Sequence, residues 1–242
     1  MTYRNRYECK FVVPESVAQD VLRRVRPFVA PDPFAARRPD HSYTIASLYL
    51  DDRQRSLYRE TTEGLPFRYK LRVRAYDDDP LQPVFLEIKR RHDRVVQKLR
   101  CPIPRHLLPA VLAGDAVTLP AATPAKLASL AEFQRLAQLR RAEPTAVVRY
   151  QRQAYAGLDD QEVRVTVDRR LCALPTRDPM VTMTGPGFVT VPTGGVVLEL
   201  KFTDRIPPWM SQVIRDRELH RRSFSKYCNS LDAIAGHGIA AS

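Results

Sequence analysis

Basic residues alternate with apolar residues in several short segments of this 242-residue chain. In a strand over 70–76, Lys70, Arg72 and Arg74 share one face at a spacing of ~7 Å, while Leu71 and Val73 occupy the other face. Arg binds phosphate oxygens bidentately, and Lys acts as a compact point charge. The segment therefore predicts a cationic face suited to linked phosphate groups.

Three further segments each place a glutamate and a lysine on the same face of a strand. They are Glu8 with Lys10, Glu87 with Lys89 and Arg91, and Glu199 with Lys201. One such strand is typical of a half-buried sheet that shows its polar face to water, but four together favour a shared functional face. The carboxylates are either oxygen ligands for a divalent cation that bridges phosphates or ion-pair partners of the neighbouring cations.

Weaker signals of the same kind occur in three other places. Lys98 alternates with apolar residues in 96–100, and Tyr150 shares a face with Arg152. Ser225 and Lys226 open a predicted helix, where a hydroxyl, backbone N–H groups and an ammonium can bind an anion. The alternative for this last pair is an ordinary Ser N-cap with a solvated lysine.

The composition favours anionic partners. Lys plus Arg number 39 against 27 for Asp plus Glu, which gives a formal net charge of +12. Nucleic acid, a phospholipid surface and a soluble polyphosphorylated ligand all fit this charge. Only seven of the basic residues are lysines, and six of these lie in the segments above, where a compact ammonium is suited to phosphate oxygens.

Other classes of site are disfavoured by what the sequence lacks. The four cysteines form no C-x-x-C pair, which indicates neither zinc nor a disulfide framework and favours a cytoplasmic setting. No apolar run approaches the ~18 residues of a membrane span, so membrane association would need a partner protein. The histidines have no metal-binding spacing and no nucleophile motif stands out, which leaves positioning and electrostatics, the main needs of phosphoryl transfer.

Hydropathy periodicity predicts a single α+β domain over 1–242, with eight antiparallel strands and helices packed outside. The strands are expected at about 3–13, 43–51, 67–77, 83–91, 94–103, 145–156, 162–171 and 195–203. The helices are expected at about 14–29, 104–113, 124–141, 207–218 and 224–236. A closed barrel of about eight strands would hold one slender ligand among the inward-pointing charged residues.

Six motifs in order resemble the vacuolar transporter chaperone (VTC) domain, the polyphosphate polymerase branch of the triphosphate tunnel (CYTH-like) superfamily. They are Tyr7-Glu8-x-Lys10-Phe11, residues 47–51 (SLYLD), Lys70-Leu71-Arg72-Val73-Arg74-x-Tyr76, residues 85–89 (FLEIK), residues 198–201 (LELK) and residues 224–227 (FSKY). The resemblance covers nearly the whole chain, from residue 3 to about 236.

The resemblance implies an eight-stranded antiparallel tunnel and transfer of the γ-phosphate of ATP to a growing inorganic polyphosphate chain, with manganese or magnesium as cofactor. It implies that Lys10, Arg72, Arg74, Lys89 and Lys226 are catalytic. It further implies phosphate binding by Arg152, with Tyr150 and Ser225 in support, and a metal ion at Glu199. The alternation adds Lys70, Arg91, Lys98 and Lys201 as candidate phosphate ligands, and Glu87 and Glu8 as candidate metal ligands. The expected partners are ATP, polyphosphate and pyrophosphate.

Two positions depart from related patterns. Arg6 stands where the tunnel triphosphatases begin with a glutamate, which favours the VTC branch over a hydrolase. Ser223 stands where the eukaryotic polymerases carry a lysine. A tunnel triphosphatase and a non-catalytic polyphosphate- or nucleotide-binding module therefore stay open as alternatives. A nucleic-acid binder is disfavoured, because few aromatic residues are interleaved with the basic positions.

Overall fold

The computed structural model describes residues 6–92 and 95–238, apart from the side chain of Arg6. The strands are β1 (Arg6–Val13), β2 (Val29–Pro31), β3 (Ser42–Asp51), β4 (Phe67–Ala75), β5 (Val84–His92), β6 (Val95–Ile103), β7 (Glu143–Gly157), β8 (Arg164–Pro175), β9 (Val189–Thr190) and β10 (Val196–Thr203). The helices are α1 (Glu15–Val25), α2 (Ser56–Thr62), α3 (Leu108–Ala113), α4 (Pro124–Arg140), α5 (Pro208–Asp216) and α6 (Lys226–Gly236).

All eight predicted strands form, and their ends differ from the predictions by a few residues. Residues 3–5 and Arg94, which the prediction included in strands, lie outside the described part of the chain. The five predicted helices also form, although 3₁₀ turns at Arg26–Phe28 and Arg105–Leu107 take up parts of two of them. Three elements were not predicted, namely β2, β9 and α2.

The strands form one antiparallel sheet whose hydrogen-bonded order is β1-β10-β8-β7-β3-β4-β5-β6, with β2 added to β7 and β9 to β8. This confirms the predicted α+β class and the antiparallel architecture. The order begins at β1 and ends at β6, and the described residues contain no pairing between those two strands. The sheet is therefore not closed by hydrogen bonds, contrary to the closed barrel that the sequence led us to expect.

The chain divides into two compact units, and three separate segments contribute to each. Unit 1 comprises residues 1–43, 150–171 and 192–224, and unit 2 comprises residues 44–149, 172–191 and 225–242. The prediction that the whole chain is one domain remains a prediction.

Unit 1 has its own hydrophobic core, in which the apolar faces of β1, β8 and β10 pack with helices α1 and α5. Phe11 and Leu198 are fully buried there, as are Val21 of α1 and Met210 of α5. At the start of β10, a Cβ on Gly195 would meet the carbonyl oxygen of Val13 at 2.4 Å. This close approach explains why glycine precedes the strand.

Unit 2 has a second core on the apolar faces of β3, β4 and β5. Leu71, Leu86 and Ile103 are buried in it, and Phe133 of α4 packs against them. Helix α4 begins after Thr123, whose hydroxyl accepts a hydrogen bond from the Lys126 backbone N–H. Because apolar residues fill one face of β4 and β5, their alternating charged residues are confined to the other face.

Candidate functional site

A dense group of charged side chains lies on β4, β5 and β6 of unit 2. We call it the Glu87 cluster, and it consists of Arg72, Arg74, Glu87, Lys98 and Arg100. Arg72 and Arg100 lie directly opposite Glu87 in the strand register. Arg72 Nη2 is 2.7 Å and Arg74 Nη1 is 3.7 Å from Glu87 Oε2, while Lys98 Nζ is 2.8 Å and Arg100 Nε is 3.6 Å from Glu87 Oε1.

The charges in the Glu87 cluster do not balance, because four cations surround one carboxylate. Glu87 is fully buried. Desolvation acts to raise the pKa of its carboxyl group, but Arg72, Arg74 and Lys98 outweigh that effect and hold it well below its usual range. Desolvation, followed by repulsion from the two arginines, lowers the pKa of Lys98 to about 7. The excess of basic side chains makes this cluster suited to binding an anion.

A row of three lysines crosses the same face of unit 2. Lys70 of β4 lies opposite Lys89 of β5, and Lys89 lies opposite Lys98 of β6. Like charges directly opposite one another destabilise a sheet. A bound polyanion would offset that repulsion, and three ammonium groups in line match a chain of phosphates better than a single anion.

Helix α6 is joined to this face through its first residues. The Ser225 hydroxyl accepts hydrogen bonds from the Cys228 backbone N–H at 3.2 Å, as an N-cap, and from Lys70 Nζ at 2.7 Å. Lys226 begins the helix and is 8% exposed. The Ser N-cap of the alternative prediction is present, but the solvated lysine of that alternative is wrong, because Lys226 is buried.

Tyr227 fixes the start of α6 from the opposite direction. Its hydroxyl donates to Asp51 Oδ2 at 2.7 Å, and its ring stacks on Tyr49 at a centroid distance of 4.8 Å. The Asp51 carboxylate also accepts hydrogen bonds from the backbone N–H groups of Leu57 and Tyr58 in the first turn of α2, both at 2.9 Å. Asp51 thus holds α2 and α6 together.

Unit 1 contains a second group of charged residues, which we call the Glu199 cluster. It consists of Glu8, Lys10, Arg152, Asp168, Glu199 and Lys201. In the register of β1 and β10, Lys10 lies opposite Glu199 and Glu8 lies opposite Lys201. Lys201 Nζ is 2.7 Å from Glu199 Oε2, and Lys10 Nζ is 3.8 Å from Glu199 Oε1 and 3.7 Å from Glu8 Oε1. Three carboxylates meet three cations here, so this cluster is close to neutral.

Arg152 is the most enclosed cation of the Glu199 cluster. Its Nε and Nη2 donate to the two Asp168 oxygens at 2.6 and 2.7 Å, and Nη2 lies 3.4 Å from Glu199 Oε2. Desolvation opposes its charge, but Asp168 and Tyr150 outweigh that effect and raise the pKa of the guanidinium well above its usual value. The guanidinium also lies 5.3 Å from the Tyr150 ring centroid, within cation–π range. These contacts fix Arg152 in one orientation.

The two clusters differ in how well they suit a divalent cation. Glu199 and Glu8 lie on neighbouring strands with about as much negative as positive charge around them. Glu87 is engaged by four cations, which favours the ion-pairing role that sequence reasoning left open. Within residues 6–92 and 95–238, no three His, Cys, Asp or Glu side chains are grouped to hold a metal. The residues fit an ion that takes one or two carboxylates and completes its shell with phosphate oxygens, as Mg²⁺ does.

The structure groups most of the predicted residues within one unit or the other. Lys70, Arg72, Arg74, Glu87, Lys89, Lys98 and Ser225 meet in unit 2, and Glu8, Lys10, Tyr150, Arg152, Glu199 and Lys201 meet in unit 1. Arg91 is exposed and lies opposite Arg68, one row beyond the lysines. The functional roles of all these residues remain predictions.

Sequence reasoning missed several residues that complete the two clusters. Asp168 anchors Arg152, Thr166 Oγ1 donates to Glu199 Oε2 at 3.4 Å, and the Tyr49 hydroxyl accepts from Arg72 Nη1 at 3.1 Å. In 165–168, Thr166 and Asp168 alternate with two valines, so the period-two pattern could have indicated their shared face.

The described helices include none with the length and apolar character needed to cross a membrane.

Comparisons with known proteins bear on the fold and the family. The fold is similar to that of a Bacillus halodurans protein provisionally named an adenylate cyclase, with a TM-score of 0.50, 8% identity and coverage of 91% of this chain and 95% of that one. A Vibrio parahaemolyticus protein with the same provisional name gives a TM-score of 0.47 at 15% identity, over 96% and 100% of the two chains. A Pyrococcus horikoshii protein gives 0.43 at 9% identity, over 95% and 98%.

No curated protein sequence matches the chain significantly. The profile of one protein family, the VTC domain, matches residues 5–235. That range includes both clusters and all of α6 except its last residue, Gly236. The chain belongs to the VTC domain family.

Proposed function

We propose that this protein is a metal-dependent phosphotransferase that moves the γ-phosphoryl group of ATP onto the terminal oxygen of an inorganic polyphosphate chain and releases ADP. The observation that carries the proposal is the row of Lys70, Lys89 and Lys98 across three neighbouring strands. The row joins the Glu87 cluster at Lys98. A surface on which basic side chains outnumber carboxylates in this way is suited to a polyanion of several linked phosphates. The family match supports the same reading.

In this proposal Arg72, Arg74 and Lys98 of the Glu87 cluster, together with Lys70 and Lys89, hold and orient phosphates. Arg72 and Arg74 are the candidates for bidentate contacts, because Arg72 already presents both Nε and Nη2 to a carboxylate oxygen. Lys89 supplies a point charge, and Lys70 with Ser225 extends the set to the start of α6. Transfer between phosphates needs little covalent chemistry from the protein, so positioning and charge stabilisation suffice.

The Glu199 cluster is proposed to hold the divalent ion, manganese or magnesium, through Glu199 with support from Glu8. When bound, the ion would offset negative charge on the phosphate oxygens. Lys10 and Lys201 lie beside Glu199 and offset part of its negative charge, and Arg152, held by Asp168, is a candidate phosphate ligand. Lys226 and Arg91 complete the proposed phosphate ligands. The absence of C-x-x-C pairs in the sequence supports a cytoplasmic setting.

The test is to incubate the purified chain with ATP and MnCl₂ and to separate the products. A polymerase produces an acid-stable phosphate polymer and an equivalent amount of ADP. Release of orthophosphate or pyrophosphate alone would overturn the proposal in favour of a tunnel triphosphatase. Tight binding of ATP and polyphosphate with no turnover would instead identify a non-catalytic binding module.

A further inference from the structure

The cationic face of unit 2 ends in a pair of aromatic residues. Tyr76 follows β4 and Phe85 lies near the start of β5, and their rings meet edge to face at a centroid distance of 5.6 Å and an angle of 78°. Phe85 lies directly opposite Arg74. The alternation of β4 and β5 therefore extends the same face from lysines, through arginines, to aromatic rings.

Arg100 of β6 joins this aromatic pair to the Glu87 cluster. Its guanidinium carbon lies 3.8 Å from the Phe85 ring centroid and 5.5 Å from that of Tyr76, and Nη2 donates to the Tyr76 hydroxyl at 3.3 Å. Its Nε lies 3.6 Å from Glu87 Oε1, and 35% of its side chain is exposed. Arg100 thus presents a supported, partly exposed guanidinium between the charged and the aromatic parts of the face.

Such a surface suits the base of ATP, a group that inorganic polyphosphate lacks. Nucleic-acid bases stack on aromatic rings and on guanidinium planes, and they do so whatever the base. Phosphate groups gain nothing from aromatic neighbours. An aromatic end on a phosphate-binding face therefore distinguishes a nucleotide from a plain phosphate chain.

We infer that Tyr76, Phe85 and Arg100 form a subsite for the base of a nucleotide whose phosphates extend along Arg74 and Arg72 toward the lysine row. The inference rests on the proposed function for what the cations bind, and it adds where the donor nucleoside lies. Tyr76 and Phe85 are both partly exposed, while the core of unit 2 occupies the opposite face of their strands. Both rings keep exposed surface that core aromatics lack, although the Arg100 guanidinium covers one face of Phe85.

The experiment compares two ligands, ATP and inorganic tripolyphosphate, by titration calorimetry on the full chain. In Tyr76→Leu and Phe85→Leu the apolar bulk is kept and the ring is removed. We expect each variant to bind ATP more weakly by about 5-fold or more, as loss of one stacking contact implies, and to bind tripolyphosphate as the wild type does. Phe67→Leu is the matched control, because Phe67 is an exposed aromatic on the other face of β4.

Three results would overturn the subsite. The wild type could bind tripolyphosphate but not ATP, the variants could lose affinity for both ligands equally, or neither variant could change the preference for ATP. The outcome is separate from that of the proposed function. A chain that binds ATP through these rings yet forms no polymer keeps the subsite and loses the polymerase assignment.

Discussion

The ammonium nitrogen of Lys98 lies 2.8 Å from Glu87 Oε1, and yet the pKa of this lysine falls to about 7. Desolvation and the like charges of Arg72 and Arg74 outweigh the attraction of the carboxylate. The lysine therefore changes charge near neutral pH, whereas the surrounding arginines do not.

We expect this titration to appear in ligand binding. Below pH 7, Lys98 is protonated and contributes to the positive charge of the cluster, and above pH 7 that contribution is lost. The affinity of the wild type for tripolyphosphate, relative to that of Lys98→Arg, should fall as the pH rises from about 6 to about 8. The ratio removes the titration of the ligand itself, and a ratio that stays constant would contradict the lowered pKa.

Replacing Glu87 by Gln should destabilise the free protein and favour the anion complex. The change leaves three arginines and a lysine around a neutral amide, and breaking a buried ion pair costs about 3–5 kcal/mol. Tripolyphosphate would offset the repulsion, so the rise in melting temperature on adding it should be larger for the variant than for the wild type. Glu132→Gln, which loses contacts with Arg90 and Arg135 at a partly exposed position, is the control. An equal rise in melting temperature for Glu87→Gln and the wild type would argue against excess positive charge around Glu87.

Replacing Glu199 by Gln should remove metal-dependent turnover and leave anion binding intact. If Glu199 holds the divalent ion, the polymer yield should fall by on the order of 100-fold at saturating Mn²⁺. Affinity for tripolyphosphate should be retained or should rise, because a negative charge is lost beside Lys10 and Lys201. Asp20→Asn, at a surface carboxylate of the same unit, serves as the control. Full activity of the Glu199 variant would place the metal elsewhere.

Replacing Tyr227 by Phe should weaken the attachment of α6 to Asp51. A hydrogen bond to a buried carboxylate contributes about 1.5–3 kcal/mol, and the Asp51 side chain is fully buried. Chemical denaturation should show that the free energy of unfolding falls by that amount. Tyr58→Phe removes a similar bond to Asp232, which is exposed, and should cost less than about 1 kcal/mol. Equal losses would show that burial of the acceptor does not matter.

The eight long strands could be predicted because each alternates polar and apolar residues over part of its length. Helix α2 was missed because it has only seven residues, too few for a helical period to emerge. It also begins after Arg55 in a left-handed conformation, and its N–H groups are satisfied by Asp51 and Asp52. Such a start depends on residues in the preceding strand and leaves no local signal.

The candidate site was predictable only in part. Alternation identified Arg72, Glu87 and Lys98 as charged residues on strand faces, but it could not tell which of them are opposite one another. That depends on strand register, which the buried faces and turns determine together. The balance of charge around Glu87 and Glu199, and hence their different suitability for a metal, follows from register alone.

The pairing of β1 with β10 affects how the chain folds while it is synthesised on the ribosome. Lys10 lies opposite Glu199, so the first strand must wait for ~190 further residues before its partner exists. At ordinary rates of synthesis the delay is about 10–40 s. Throughout that time the edge of β1 that pairs with β10 is open and Phe11 lacks its neighbours on β10, which makes the nascent chain a candidate client for chaperones.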